Sequence, residues 1–314
     1  MIKMTEENKG KRLDLFLVEL YPEKSRSKLQ AFIKNGSVLI NKKTTTPHYS
    51  LKEGDELDVN LKKKIKKEKV EKIVMSAIKP EIIEENEEFI VINKPSGIIV
   101  HGGVQIKEKT LVDFLIKKYP EIKNIGEDAY RPGIVHRLDK EVSGLMVVAR
   151  TQESFLSLKK QFQKRQVIKE YTALTFGKIS KNEDEVSFRI DRAASGFKMA
   201  AMPLTVKGEE NTAGRDALTR FEVMKRYFHF TLVRVNILTG RTHQIRAHFS
   251  AYGHPLVGDD LYGTKKTRIL NKKYNLGRVF LVSNSLSFKT LKKEKKEYNI
   301  ELPKELKNFL EKIK

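Results

Sequence analysis

The sequence predicts an α+β protein in two parts: a small α/β module, then a larger domain on a mixed, mostly antiparallel sheet. Three observations carry this expectation. The chain has 314 residues, about two domains' worth. Short apolar runs suited to strands recur between helical runs, with no regular βαβ alternation and no internal repeat. A charge run, KKKIKKEKVEKIVMSAIKP at 62–80, separates the two parts and reads as an exposed linker. The expected division is therefore 11–61, 62–80 and 81–314.

The first module opens with Leu13, Phe16, Leu17 and Leu20, whose i, i+3, i+4, i+7 spacing makes one apolar helix face. Pro22 stops that helix. Ser27 with Gln30 reads as a capping-box pair opening a second helix, which buries Leu29, Phe32 and Ile33 and ends at Gly36. Val38 and Ile40 alternate in a short strand. Leu57, Val59 and Leu61 alternate in another, after a turn at Gly54-Asp55. In the second part Phe89, Ile90, Val91 and Ile92 make a run apolar enough for a buried strand, closed by Lys94-Pro95-Ser96-Gly97. Further strands are expected at 144–149, 172–176, 228–237 and 279–282, and helices at 111–118, 153–164 and 242–252. From about Lys289 the chain is rich in Lys and Glu, with Leu302, Leu306, Phe309 and Leu310 on a closing helix.

Composition removes several classes. With 62 Lys+Arg against 40 Asp+Glu, the net charge is +22. That excess attracts polyanions, nucleic acid foremost, although the same lysines also serve as plain solubilising surface. There is no cysteine, hence no disulfide, thiol nucleophile or cysteine-ligated zinc. The start, MIKMTEENKGKR, has no apolar signal core, and no stretch approaches the roughly 18 apolar residues of a membrane span. The expectation is a cytoplasmic protein with no membrane partner. Phosphate-loop, dinucleotide and zinc-protease signatures are missing. His243 and His248 are five residues apart, about 140° around a helix, which makes a poor metal pair. No metal and no organic cofactor are expected.

Two stretches carry chemistry. In Arg131–Arg150, the polar cluster His136, Arg137, Asp139 and Lys140 precedes an apolar strand. Basic neighbours favour the charged form of Asp139, which suits a nucleophile; the plainer alternative is a surface turn with ordinary ion pairs. In Thr239–Asp259, Thr242 can cap a helix on which Ile245, Phe249 and Tyr252 face the core, while Thr242, Arg246 and Ser250 form a polar stripe. Arg246 there can pair with a carboxylate or grip phosphate, or lie on a solvated face.

The run HRLDKEVSGLMVVAR resembles the nucleophile motif of the RluA family of pseudouridine synthases (RluC/RluD-like). The resemblance continues in order through Asn93–His101, Lys169-Glu-Tyr-Thr-Ala-Leu174 and Gly240–His248, followed by Gly253–Asp259. Residues 11–61 resemble the S4 RNA-binding domain, with Arg12-Leu-Asp-x-Phe-Leu, Ser25-Arg-Ser-x-Leu-Gln, Gly36-x-Val and Asn41. His136, where the related RsuA group usually has Gly, favours the RluA side. Val142 stands where Thr is usual, a minor departure. The stretch 193–215 matches only loosely.

The resemblance implies isomerisation of uridine to pseudouridine in RNA without a cofactor, with ribosomal large-subunit RNA the first candidate and tRNA the second. Asp139 would be the nucleophile, adding either to the base or at the ribose. Arg246 would pair with it and hold it ionised. Tyr171 would stack on the uracil and assist the closing proton transfer, or simply be a core tyrosine. Arg137 would fill the gap left by the flipped base or contact phosphate; Arg241 would contact substrate or phosphate. His136, counted with these RNA-side residues, would buttress the loop. Arg12, Arg26, Lys28, Lys34, Lys42 and Lys43 would form one basic face on the S4 module. A monomer is expected, since no unexplained apolar surface stretch stands out.

Overall fold

The computed structural model describes the whole chain except residues 1, 25, 35, 61–78, 103–107, 194–197, 203, 204, 207, 208 and 211. The charge run at 62–80 therefore lies outside the described residues, apart from its last two positions, as does Leu61. By its contacts the chain forms two compact units, 1–73 and 74–314.

The first unit holds β1 (Ile2–Lys3), α1 (Leu13–Leu20), α2 (Arg26–Lys34), β2 (Val38–Ile40), β3 (Lys43–Thr44) and β4 (Glu56–Val59). The strands make an antiparallel sheet in the order β1-β4-β2-β3. Leu13 and Leu17 of α1, Leu29 and Ile33 of α2, and Val38 and Leu57 of the sheet are all completely buried. Truncating one of these leucines to Ala would cost about 2–5 kcal/mol. Leu20 sits at the exposed edge of the α1 face. Ser27 falls inside the second helix rather than at its cap. Helix α2 begins at Arg26, and Gln30 instead donates to Asp14 at 2.6 Å. Each hydrogen bond that the buried Asp14 carboxylate accepts offsets its own desolvation.

The second unit contains β5 (Glu81–Glu85), β6 (Phe89–Lys94), α3 (Leu111–Lys118), β7 (Ser143–Ala149), α4 (Gln152–Gln163) and β8 (Ile168–Phe176). Short strands β9 (Glu183–Val186), β10 (Arg189–Arg192), β11 (Met199–Met202), β12 (Thr205–Val206) and β13 (Glu209–Glu210) follow. The unit is completed by β14 (Thr219–Arg226), β15 (Phe230–Ile237), α5 (Gln244–Ala251), α6 (Lys265–Tyr274), β16 (Leu281–Lys289), β17 (Lys295–Asn299) and α7 (Lys304–Lys312). The main sheet runs β5-β6-β7-β16-β8-β15-β14-β9, with β17 also on β16. Among the described residues only the pair β16 and β7 is parallel, so the sheet is mixed and mostly antiparallel, as expected.

Period-two alternation divides the core between the two faces of this sheet. Tyr171 and Ala173 of β8, with Val233 and Val235 of β15, pack on one side with Ile245 and Phe249 of α5. Leu174, Phe176, Phe230 and Leu232 pack on the other with Leu306 and Phe309 of α7. Helix α3 begins with a capping box. Thr110 Oγ1 accepts from the Asp113 N–H at 3.2 Å, and the Asp113 carboxylate accepts from the Thr110 N–H at 2.8 Å.

Strand β16 extends seven residues beyond the expected 279–282 run, to Lys289, and β17 lies in the Lys/Glu-rich tail. Strand β15 starts at Phe230, two residues later than expected; Phe228 stands in the preceding turn, 74% exposed.

Candidate active site

The loop carrying Asp139 is pinned from both sides. Gly133 takes φ 69°, a left-handed value open to Gly, because a Cβ there would lie 2.6 Å from the Ala149 carbonyl. This close approach lets the loop pair with the end of β7, where Ala149 N–H reaches Gly133 O at 2.9 Å. Three residues on, His136 Nε2 accepts the Val147 N–H at 3.0 Å, and its ring stacks on Phe162 with centroids 4.6 Å apart. Burial, aided by the Lys169 charge, pushes His136 down to about 3, so its ring is neutral. From the other side, the Gly97 N–H donates to Lys140 O at 2.7 Å and Ser96 Oγ to Glu141 O at 2.7 Å. The buried Lys94 ammonium holds Pro95 O and Ile98 O, each at 3.0 Å. Burial, then the Arg278 charge, pushes Lys94 down to about 7.

Arg246 meets Asp139 from α5. It is only 3% exposed, so the solvated stripe considered from the sequence is excluded. Its Nε and Nη2 donate to the two oxygens of buried Asp259 at 2.7 and 3.0 Å. Its Nη1 reaches Asp139 Oδ2 and Glu141 Oε2, each at 3.3 Å. Asp259 Oδ1 also accepts the N–H groups of Leu261 and Tyr262 at 3.1 and 3.0 Å. The guanidinium is thus fixed by a bidentate pair before it touches Asp139. Burial opposes its charge, but Asp259, Asp139 and Glu141 outweigh burial and raise its pKa further. Asp139, 14% exposed, is held by a partner 107 residues away in the chain; its chain neighbours Arg137 and Lys140 turn to His101 and Glu108.

Thr242 does not cap α5. The cap position belongs to His243, in a left-handed conformation with φ 53° and ψ 23°. Its Nε2 lies 3.9 Å from Asp139 Oδ1. Tyr171 is buried on β8, opposite Val235 and Ser283. Burial, together with the nearby Asp139 charge, pushes its phenol well above the ordinary range.

Asp139, Tyr171, His243 and Arg246 line one cleft of about 710 Å³, large enough for a nucleotide. His136, Arg137 and Arg241 line it too, so the expected site residues of this unit come together. Arg131, Arg165 and Lys169 add to the cationic wall, against which Asp139 is the one lining carboxylate among the described residues. Arg137 donates to His101 Nε2 at 3.2 Å, and Arg241 to Asp216 O at 3.1 Å. Such a wall attracts a polyanion while leaving a single anionic oxygen group inside. Among the described residues, no three His, Asp or Glu side chains are placed to hold a metal ion.

In the first unit, Arg12 and Arg26 converge on Asp14, which is completely buried. Arg12 Nε and Nη2 donate to it at 3.1 Å each, and Arg26 Nη2 at 2.8 Å. Burial works against the charge of Asp14, yet Arg12, Gln30 and Arg26 hold its carboxyl far below the usual range. Both guanidiniums remain partly open to solvent, 39% and 48% exposed. Lys42 and Lys43 are exposed at the β2–β3 turn. The side chains of Lys28 and Lys34 lie outside the described residues.

Sequence reasoning missed Asp259, Glu141, His243, Lys94 and Asp14 as parts of these arrangements. The one available signal was that each falls inside a stretch singled out for other reasons.

A family model described as RNA pseudouridylate synthase matches residues 88–251, which span Asp139, Tyr171 and Arg246. An S4 domain model matches residues 11–57. The ribosomal large subunit pseudouridine synthase D of Pseudomonas aeruginosa is 36% identical over 255 residues, covering 81% of this chain and 74% of that one. An uncharacterized RNA pseudouridine synthase of Aquifex aeolicus is 36% identical over 277 residues, covering 86% and 82%. The solved structure of human RNA pseudouridylate synthase domain containing 4 superposes with a TM-score of 0.61 at 25% identity, covering 77% of this chain and 95% of that one. Among the described residues, no helix is long and apolar enough to cross a membrane. The chain belongs to the RNA pseudouridylate synthase family, isomerases acting on RNA, and carries an S4 domain at its N-terminal end.

Proposed function

We propose that this protein converts specific uridines of large-subunit (23S) ribosomal RNA to pseudouridine, in the cytoplasm, as a monomer and without a cofactor. The observation that carries the reading is Asp139, the single carboxylate that lines a cationic cleft among the described residues, held on one oxygen by an arginine that Asp259 has already immobilised. Ribosomal RNA as the substrate is supported by relatives named ribosomal large subunit pseudouridine synthase D, about 35% identical.

The target base leaves its stack to reach the cleft, at a cost of a few kcal/mol that is smallest in loops and bulges. Asp139 then acts as nucleophile, on the base or at the ribose. The C1′–N1 bond breaks, the uracil turns, a C1′–C5 bond forms, and the bond to Asp139 breaks to free the carboxylate. C5 then loses its proton and N1 gains one, so atoms balance without a co-reactant. Arg246 keeps the carboxylate aimed and charged. Tyr171 stacks on the base. Burial raises its pKa, so it meets the base as a neutral phenol, placed to assist the closing proton transfer. Arg137, exposed at the mouth, fills the space the base vacates or grips phosphate, and Arg241 contacts the backbone. On the S4 domain, Arg12, Arg26, Lys42 and Lys43 add phosphate contacts that position RNA without reading sequence.

Pseudouridine mapping tests the reading. Purified protein is incubated with unmodified 23S rRNA and, separately, with tRNA transcripts. Modification of the rRNA at discrete uridines, lost with Asp139→Asn, is the expected result. Modification confined to tRNA overturns the substrate; modification of neither overturns the function.

A further inference from the structure

His243 takes no part in the reading above, yet its surroundings determine where its proton sits. It holds a left-handed backbone conformation that residues other than Gly and Asn seldom adopt, at the first turn of the helix that presents Arg246. Its side chain is 21% exposed and faces the cleft. Its Nδ1 lies 3.0 Å from Tyr262 Oη, and the two rings meet edge to face with centroids 5.6 Å apart. Tyr262 is buried, and its oxygen already accepts the backbone N–H of Met199 at 2.8 Å. Burial pushes its phenol up to about 12, so it keeps its proton at neutral pH. His243 Nδ1 is within reach to accept that proton's hydrogen bond. A nitrogen that accepts carries no proton, so the neutral ring bears its hydrogen on Nε2. That nitrogen faces Asp139 Oδ1 at 3.9 Å, whereas Arg246 takes Oδ2 at 3.3 Å. The two oxygens of the carboxylate therefore face different groups.

We infer that His243 is a positioning residue for Asp139: Tyr262 fixes its tautomer, and its Nε2–H is presented to the oxygen that Arg246 leaves free. The gap closes by about 1 Å to hydrogen-bond length when RNA fills the cleft, as catalytic contacts commonly tighten in the substrate complex. The carboxylate is then held at both oxygens and cannot rotate away from the sugar and base. The inference rests on Asp139 as the nucleophile.

Three variants and one altered substrate test it. His243→Gln keeps a donor near the Nε2 position. His243→Asn keeps a residue suited to the left-handed backbone but withdraws the donor. Tyr262→Phe frees the tautomer. In RNA carrying 5-fluorouridine, the glycosidic rearrangement can proceed but C5 has no proton to lose, so the assay isolates the steps that use Asp139. Single-turnover rearrangement of this RNA is expected to slow roughly 10- to 100-fold in His243→Asn. The losses in His243→Gln and Tyr262→Phe should be smaller, with RNA Kd and Tm close to wild type in all three. Rearrangement at the wild-type rate in His243→Asn overturns the inference. A wild-type protein that rearranges no uridine overturns the functional reading instead. Nitrogen-15 spectra of the histidine side chains read the tautomer apart from any activity. The resonances lost in His243→Asn should belong to a ring protonated at Nε2, and a ring protonated at Nδ1 contradicts the assignment.

Discussion

Arg246 shows why a buried charge can be both a structural and a chemical device. Its guanidinium spans three carboxylates: Asp259 fixes it, and Asp139 and Glu141 share its remaining nitrogen. Removing Asp259 leaves a buried cation half unpaired. Asp259→Ala should therefore destabilise the second unit by about 3–5 kcal/mol, read from its denaturant midpoint. Arg246→Lys keeps the charge but loses the fork, so single-turnover rate should fall about 100-fold while RNA Kd stays near wild type. Asp14 gives a pH prediction. In the unfolded chain an Asp titrates near 3.9, whereas here three donors hold it lower. The unfolded state thus binds the proton first, and stability contributed by Asp14 is complete above about pH 5 and drains as pH falls through 4. The first unit should lose structure in acid before an Asp14→Asn variant shows any comparable slope, measured by circular dichroism from pH 7 to 2. Asp139, Tyr171 and Arg246 were legible because each sits in a short contiguous pattern. Asp259 and His243 were not, since their roles arise from bonds closed across a buried turn and from a left-handed backbone angle that no local spacing announces.

At the scale of elements, most helices and central strands follow from apolar periodicity, and the discrepancies have local causes. Strand β17, KKEYN, alternates exposed with half-buried residues and is mostly charged, so it reads as a solvated tail until β16 is seen to pair with it. The capping signals at Ser27 and Thr242 misplaced the helix starts: α2 already begins at Arg26, and the cap position of α5 falls on His243 in a left-handed conformation. The junction of β7 and β16 depends on one residue. Gly144 has φ 126°, and a Cβ there would lie 2.2 Å from Ser283 O. Gly144→Ala should therefore cost about 3 kcal/mol or more, from backbone strain and overpacking together. Its effect should appear as a lowered Tm with parallel loss of activity, since β7 begins where the Asp139 loop ends.

For the whole molecule, a net charge of +22 makes affinity for RNA a question of salt as much as of contacts. If about five phosphates are neutralised, binding should weaken about 100-fold between 50 and 200 mM salt. Replacing exposed Lys42 and Lys43 together with Ala should flatten that dependence by roughly one counterion per lost contact, without altering Tm. The two-part plan and the mixed sheet were readable from composition and periodicity. The pairing of Asp139 with Arg246 was expected only through resemblance, because it joins residues 107 apart in the chain.

The most direct measurement of the chemistry is release of tritium from RNA labelled at C5 of uridine, under single-turnover conditions, with wild-type protein and Asp139→Asn. An Asp139 nucleophile predicts release of one tritium per modified uridine by the wild type, and none by the variant although it binds the RNA equally well. Release by Asp139→Asn at the wild-type rate would contradict it.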